Sequence, residues 1–295
     1  MAVFSRLVPT ALTSYLLQTV AAAIFIPLQN EMFYDLVGCL GFLSSTFVSL
    51  YFPFLKSKFV DGTLDALPSL LSFAPRQLLG NAALVIWSLR LGSFLAMAPN
   101  FLQRAIKAGG DSRFDEVKTQ PGLFAFYWFA QATWVFLVGL PVYLLNALPP
   151  ALHPALGPTD ILATALFAGS FLFEVTADQQ KTAWRRAKEA KQHDEKFITR
   201  GLWSVSRHPN YVGEVGTWIG IWAISAGSIK THQYPLGTLA LTALSPLFTW
   251  FLLRKVSGVP PLEKTGDKHF GGDPKWEEYK RTVPVFWPWG PTAWE

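Results

Sequence analysis

Residues 121–147 read PGLFAFYWFAQATWVFLVGLPVYLLNA, and no Asp, Glu, Lys or Arg interrupts them. A helix needs about 20 apolar residues to cross the hydrocarbon core of a bilayer, so this stretch predicts a transmembrane helix. Comparable runs lie near residues 7–28, 33–55, 76–98, 160–178, 211–229 and 235–254. Together they predict an all-α polytopic membrane protein with about seven transmembrane helices, one membrane domain over residues 1–295. Composition agrees: 51% of the 295 residues are hydrophobic and 15% charged, where a soluble domain carries about 25% charge. Twelve Trp and eight Tyr suit rings anchored at a bilayer interface. The net charge of +5 comes from basic loops, so membrane topology accounts for it without nucleic acid. The single cysteine, Cys39, excludes an intrachain disulfide and reads as a small packing residue in an apolar run. Only Arg6 precedes the run 7–28, which is expected to be a first span rather than a cleaved leader. The stretch Pro68–Pro75 is expected to be a short re-entrant or interfacial piece.

Lys and Arg set the orientation, because they collect on the cytoplasmic side. Segment 179–208 holds Lys181, Arg185, Arg186, Lys188, Lys191, Lys196, Arg200 and Arg207, and loop 99–120 holds Arg104, Lys107, Arg113 and Lys118. The tail beyond Phe251 is also basic, whereas connection 148–159 has neither Lys nor Arg. Both basic loops and the tail are therefore expected in the cytoplasm and the N-terminus on the far side. Lys56 and Lys58 are the one dissent.

Three segments carry candidate chemistry. Glu174, Asp178, Lys181 and Arg185 follow at i, i+4, i+7 and i+11, which puts them on one helical stripe. A solvated helix end with charge pairs explains Lys181 and Arg185 equally well. A carboxylate such as Glu174 inside or at the rim of the hydrocarbon is costly unless it faces protein or water, so Glu174 and Asp178 read as cavity-facing. Residues 201–214 read GLWSVSRHPNYVGE. Pro209 opens the next helix, whose N-terminal N–H groups, with Arg207 and His208, attract anions. Snorkelling by Arg207 and His208 and capping by Asn210 would explain each residue singly; the block as a whole is more specific. Gly216 and Gly220 let a second helix approach closely. The tail holds GVPPLE at 258–263, then WEEYKR at 276–281 and VFWPW at 285–289. So aromatic a tail is expected to fold back on the cytoplasmic mouth, with Phe286, Trp287 and Trp289 as interfacial anchors. Arg90 interrupts the third run, and an intramembrane Arg is a functional candidate, with Glu174 a possible partner. Arg90 and Glu174 are thus the catalytic candidates. No phosphate-binding Gly-rich motif and no nucleophile elbow is present. The five histidines form no paired boxes, so no metal site is expected.

These blocks resemble the membrane reductases related to steroid 5-alpha-reductase, in the branch labelled DUF1295. The resemblance rests on 173–181, 201–214 and 258–289, with a weaker match over 87–114 that includes Arg90, Arg104, Asp111 and Arg113. It implies a seven-helix fold that binds NADPH from the cytoplasmic side through a C-terminal part, residues 160–295, while helices in 1–120 line the substrate side. Carried over residue by residue, the cofactor contacts would be Asp178, Asn210, Tyr211, Glu214, Glu263 and Tyr279, with Arg104, Arg113, Lys181, Arg207 and His208 near the phosphates. The implied reaction is hydride transfer to a carbon–carbon double bond conjugated to a carbonyl in a lipophilic substrate; the features of the tail make the endoplasmic reticulum membrane the expected location. The steroid reductases use an early Glu with a Tyr from a later span. Here the second run has Asp35 at its start and no carboxylate in its middle, and Glu31, Asp61 and Asp65 lie outside the runs, so the proton donor stays open. Isoprenylcysteine carboxyl methyltransferases share an Arg-His-Pro-x-Tyr-x-Gly block but use S-adenosylmethionine, which makes a membrane methyltransferase the alternative. A non-enzymatic lipid-binding protein is the third reading, disfavoured by the charged stripe.

Overall fold

The computed structural model describes residues 3–97 and 114–294, and between 94 and 97 the backbone alone. Among these residues the chain is helical and contains no strand. The principal helices are α1 (Leu7–Phe25), α2 (Tyr34–Phe59), α3 (Pro75–Met97), α4 (Pro121–Ala147), α5 (Pro158–Glu189) and α6 (Pro209–Ile229). There follow α7 (Thr238–Thr242), α8 (Leu244–Phe251), a π-helical turn (Leu252–Val256), α9 (Val259–Phe270) and α10 (Pro274–Thr282). Helices α3, α4, α5, α6 and α10 all begin on a proline, whose fixed φ suits the first turn and whose missing N–H would have had no partner there.

Among the described residues five helices are long and apolar enough to cross a membrane: Val3–Phe25, Tyr34–Phe59, Pro121–Ala147, Pro158–Glu189 and Thr238–Phe270. The runs 76–98 and 211–229 are also helical, as α3 and α6, but fall outside this set. Arg76, Gln77, Asn81 and Arg90 dilute the first, and Asn210, Glu214 and several Gly and Ser dilute the second. The Pro68–Pro75 stretch holds a single 3₁₀ turn, Leu70–Ser72, whose two leucines are exposed.

The chain folds into two compact units, Met1–Asp160 with Ile221–Leu244, and Ile161–Gly220 with Ser245–Glu295. In the first, α1 packs against α2 and α4, and α2 against α3. Polar side chains line these contacts: Ser14 and Ser45 share a 2.7 Å hydrogen bond, and the Gln131 amide donates to Gln18 at 3.0 Å. Such groups bind helices together where lipid gives no hydrophobic drive. Gly139 is required by its neighbour, since a Cβ there would lie 2.2 Å from the Tyr143 ring.

In the second unit α6 lies tightly against α5. A Cβ on Gly213, Gly216 or Gly220 would come within 2.6, 2.4 and 2.6 Å of Glu174, Ser170 and Phe167. The expected close approach at Gly216 and Gly220 is therefore real, and Gly213 extends it to Glu174. The tail folds back as expected, but Phe286 is not an interfacial anchor: with Val285 it is buried against Val215 and Val259, and Trp287 packs against them while Trp289 is exposed.

Candidate functional site

The site is built around a buried carboxylate. The first turns of α9 carry Glu263, 2% exposed, and two residues that precede α6 converge on it. Arg207 donates from Nε to Glu263 Oε1 at 3.2 Å and from Nη2 to Oε2 at 2.8 Å, and His208 Nε2 lies 2.7 Å from Oε1. Arg207 Nη1 donates to the carbonyls of Lys280 and Val283 at 2.9 and 3.1 Å, and the Arg207 backbone N–H to that of Pro284 at 2.9 Å. The Ser206 hydroxyl donates to the Phe286 carbonyl at 2.6 Å, and the Tyr279 hydroxyl to that of Trp203 at 2.6 Å. One charged network thus sews the 203–208 segment to α9, α10 and the tail. Every nitrogen of the Arg207 guanidinium is engaged by protein acceptors, which is how a buried charge is tolerated.

Burial pulls the His208 ring below the ordinary imidazole range, against the opposing pull of Glu263. The neutral ring then donates from Nε2 to the carboxylate, while its face stacks on Tyr211, centroids 5.5 Å apart and planes 6° from parallel. Burial also pushes the Tyr279 hydroxyl up, which keeps it a neutral donor.

Beside this network the α5 stripe ends in cations. Lys181 Nζ sits 4.4 Å from the centroid of the Trp203 ring, whose Nε1–H donates to the Ala177 carbonyl at 3.1 Å. Gly201, at φ +64°, lets the chain turn closely over Gln180, whose Oε1 accepts the Leu202 N–H at 2.9 Å. Asp178 and Arg185 on the same helix both act electrostatically on Lys181, with opposite sign.

A family profile described as a protein of unknown function, DUF1295, matches residues 65–283. The chain belongs to the DUF1295 family. No curated protein and no solved structure matches it. In this DUF1295 chain Asp178, Lys181, Arg207, His208, Asn210, Tyr211, Glu214, Glu263 and Tyr279 all fall in the second unit. Glu174 is buried there on α5, and Glu214 accepts the Trp218 indole N–H at 2.8 Å. Arg90 lies on α3 in the first unit. Arg104 and Arg113 lie outside the described residues. Sequence reasoning missed Arg254 of the π turn, buried, with Nη1 donating to the Trp294 carbonyl at 2.7 Å. Its mark in the sequence is its place in the basic stretch after Phe251, four residues ahead of GVPPLE.

Proposed function

We propose that this protein is a seven-span membrane reductase that uses NADPH, held at the cytoplasmic membrane end, to reduce the activated C=C bond of a lipophilic enone. The observation that carries the reading is the surplus of cations beside a carboxylate already spent. Glu263 is taken up by Arg207 and His208, and the Asp178 carboxylate acts on Lys181 against the charge of Arg185, so the two cations share one carboxylate and are the groups we assign to the phosphates. A partly desolvated ammonium calls for an anion. A dinucleotide with an added phosphate supplies several negative charges, whereas S-adenosylmethionine brings a sulfonium cation.

The residues divide into two groups on this reading. Arg207, His208, Glu263 and Tyr279 are consumed by one another and by backbone groups, and form the frame. Lys181, Arg185, Asp178, Asn210, Tyr211 and Glu214 are the contacts: cations for phosphates, carboxylates and the Asn210 amide for ribose hydroxyls or a carboxamide. When bound, NADPH supplies the hydride that the enone accepts at its far carbon. The chain's share is orientation, exclusion of water, and a donor to the carbonyl oxygen, where negative charge grows.

The test is thermal stabilisation of the purified full chain by NADPH, NADH or S-adenosylmethionine. NADPH should stabilise most, by about 2.7 kcal/mol at a concentration about 100 times its dissociation constant. Stabilisation by S-adenosylmethionine but not NADPH would replace the reductase with a methyltransferase. No shift from any of the three would leave the lipid-binding reading.

A further inference from the structure

The first unit contains a second buried charged network that the reaction does not use. Arg76, in the first turn of α3, grips Asp160, in the first turn of α5, through two hydrogen bonds of 2.7 Å, Nε to Oδ1 and Nη2 to Oδ2. Its remaining donors reach into loop 148–157, to the carbonyls of Pro154 at 2.9 Å and Ala155 at 3.1 Å, and to the Ser228 hydroxyl near the end of α6 at 3.3 Å. The Gly157 N–H caps Asp160 Oδ2 at 2.8 Å. Room for the guanidinium exists because residue 227 is glycine; a Cβ there would lie 2.8 Å from Arg76 Cζ. Arg76 and Asp160 are buried, while Pro154, Ala155 and Leu156 are exposed. The loop is thus strapped across the ends of the helices by one arginine.

His153 occupies the middle of the strap, half-buried. Its Nδ1 lies 2.7 Å from Ser228 Oγ and its Nε2 3.1 Å from the Leu148 carbonyl. A carbonyl only accepts, so Nε2 carries the hydrogen, and Nδ1 is left to accept the Ser228 O–H. The hydroxyl in turn accepts from Arg76. Every donor in the series Arg76, Ser228, His153, Leu148 therefore points the same way, and this holds only while the ring is neutral. A proton on Nδ1 sets two donors against each other and places a second cation one hydroxyl away from Arg76. Asp160 is already engaged, Oδ1 by Arg76 and Oδ2 by Arg76 and the Gly157 N–H. Among the described residues the charged groups around the strap are Arg76 from α3, Asp160 from α5 and Arg6, just ahead of α1, which donates to the Ala147 carbonyl at 2.9 Å; α4 and α6 add the neutral Leu148 carbonyl and Ser228 hydroxyl. Burial, with the Arg76 charge in support, keeps the ring below the ordinary imidazole range.

Behind the strap a polar seam runs into the bundle. The Gln77 amide donates to the same Leu148 carbonyl at 3.2 Å, Asn81 donates to the Gln77 carbonyl at 2.6 Å, and Asn81 and Asn146 exchange hydrogen bonds of 2.7 and 2.8 Å. Asn146 continues to Ser49 Oγ at 2.8 Å. We propose that loop 148–157 is an acid-released strap: neutral His153 holds it closed over this seam, and protonation frees it and admits water.

Amide hydrogen exchange on the full chain in lipid nanodiscs tests this, at about pH 7.5 and about pH 5, corrected for intrinsic rates. In the parent, protection over 148–160 should fall about tenfold in acid, the loss of one charge-linked hydrogen bond, while loop 60–69 keeps its corrected rate. His153→Gln, whose amide can donate to Leu148 and accept from Ser228, should stay protected at both pH values. Ser228→Ala removes the relay and should loosen 148–160 at both. Unchanged protection in the acidified parent overturns the proposal whatever the variants do. So does an equal acid response in His153→Gln, or parent-like behaviour of Ser228→Ala.

Discussion

Glu263 shows how a single residue organises the second unit. It accepts from Arg207 and His208, both buried, so its removal strands a cation in a dry site. Glu263→Gln should cost about 3–5 kcal/mol, the usual penalty for breaking a buried pair, seen as a lowered melting temperature without cofactor. A loss no larger than that of an exposed control such as Lys191→Ala would mean that water already reaches Arg207. The contact residues should behave differently. Asp178→Asn and Asn210→Ala should each weaken NADPH binding by about tenfold to a hundredfold and leave the melting temperature of the free protein near that of the parent. Equal NADPH affinity in all three proteins would reduce both residues to helix-end solvation. The Arg-His-Pro-Asn-Tyr block was legible because its residue types are rare beside a membrane helix. Its carboxylate partner was not, since Arg207 and Glu263 lie 56 positions apart and no local period links them. Arg76 left no signal either: at the mouth of an apolar run it looks like an ordinary snorkelling cation.

At the level of helices, the glycine face of α6 sets the contact with α5. Gly220→Ala pushes a methyl group to 2.6 Å from the Phe167 backbone, and overpacking of this kind costs about 1–3 kcal/mol. Gly122→Ala, with open space around its Cβ position, should be neutral or slightly stabilising. Thermal unfolding of the two variants side by side checks this, and equal behaviour would show that the α5–α6 contact gives way without cost. Sequence periodicity locates such helices well, because hydrocarbon-length apolar runs have few other uses. It is blind to the π turn, where a Ser257 N–H to Leu252 carbonyl bond of 2.8 Å inserts an extra residue at Leu252–Val256 without breaking the apolar pattern. The dissenting Lys56 also finds its explanation here. It pairs with Asp61 at 3.2 Å, and Lys58 donates to the Asp65 carbonyl, so their charges are partly answered on the spot.

For the whole chain, acid is the informative variable. The His208 and His153 rings are both held below their ordinary value, while the same rings in the unfolded chain titrate near pH 6.5. Below that value protons bind the unfolded chain first, so stability is full above about pH 6.5 and falls as the pH drops toward the folded values. Melting temperature should therefore be flat from about pH 8 to 6.5 and decline below, and the decline should be shallower in His208→Gln. An identical slope in parent and variant would remove His208 from the account. Orientation is a second property of the whole chain. A cysteine placed at Lys188 or Lys264 should react with an impermeant maleimide from the cytoplasmic side and one at His153 from the other; reaction of Lys188 and His153 positions from one side would require redrawing α5.

The prolines that open α3, α4, α5, α6 and α10 carry a consequence for how such a chain tolerates insertions and deletions. The residue before a proline resists the α conformation, so a helix cannot lengthen backwards into the loop that precedes it. Adding or deleting residues in 60–74 or 190–199 would then alter the span of a connection, at an entropic cost that grows only slowly with length. The angular position of each downstream side chain would be unchanged. Glu174 would still face Gly213, and His208 would still sit one residue ahead of the α6 start, whatever length of chain had been spliced in upstream. Length variation among relatives should therefore gather in those two connections, with the helices behind them aligning without gaps.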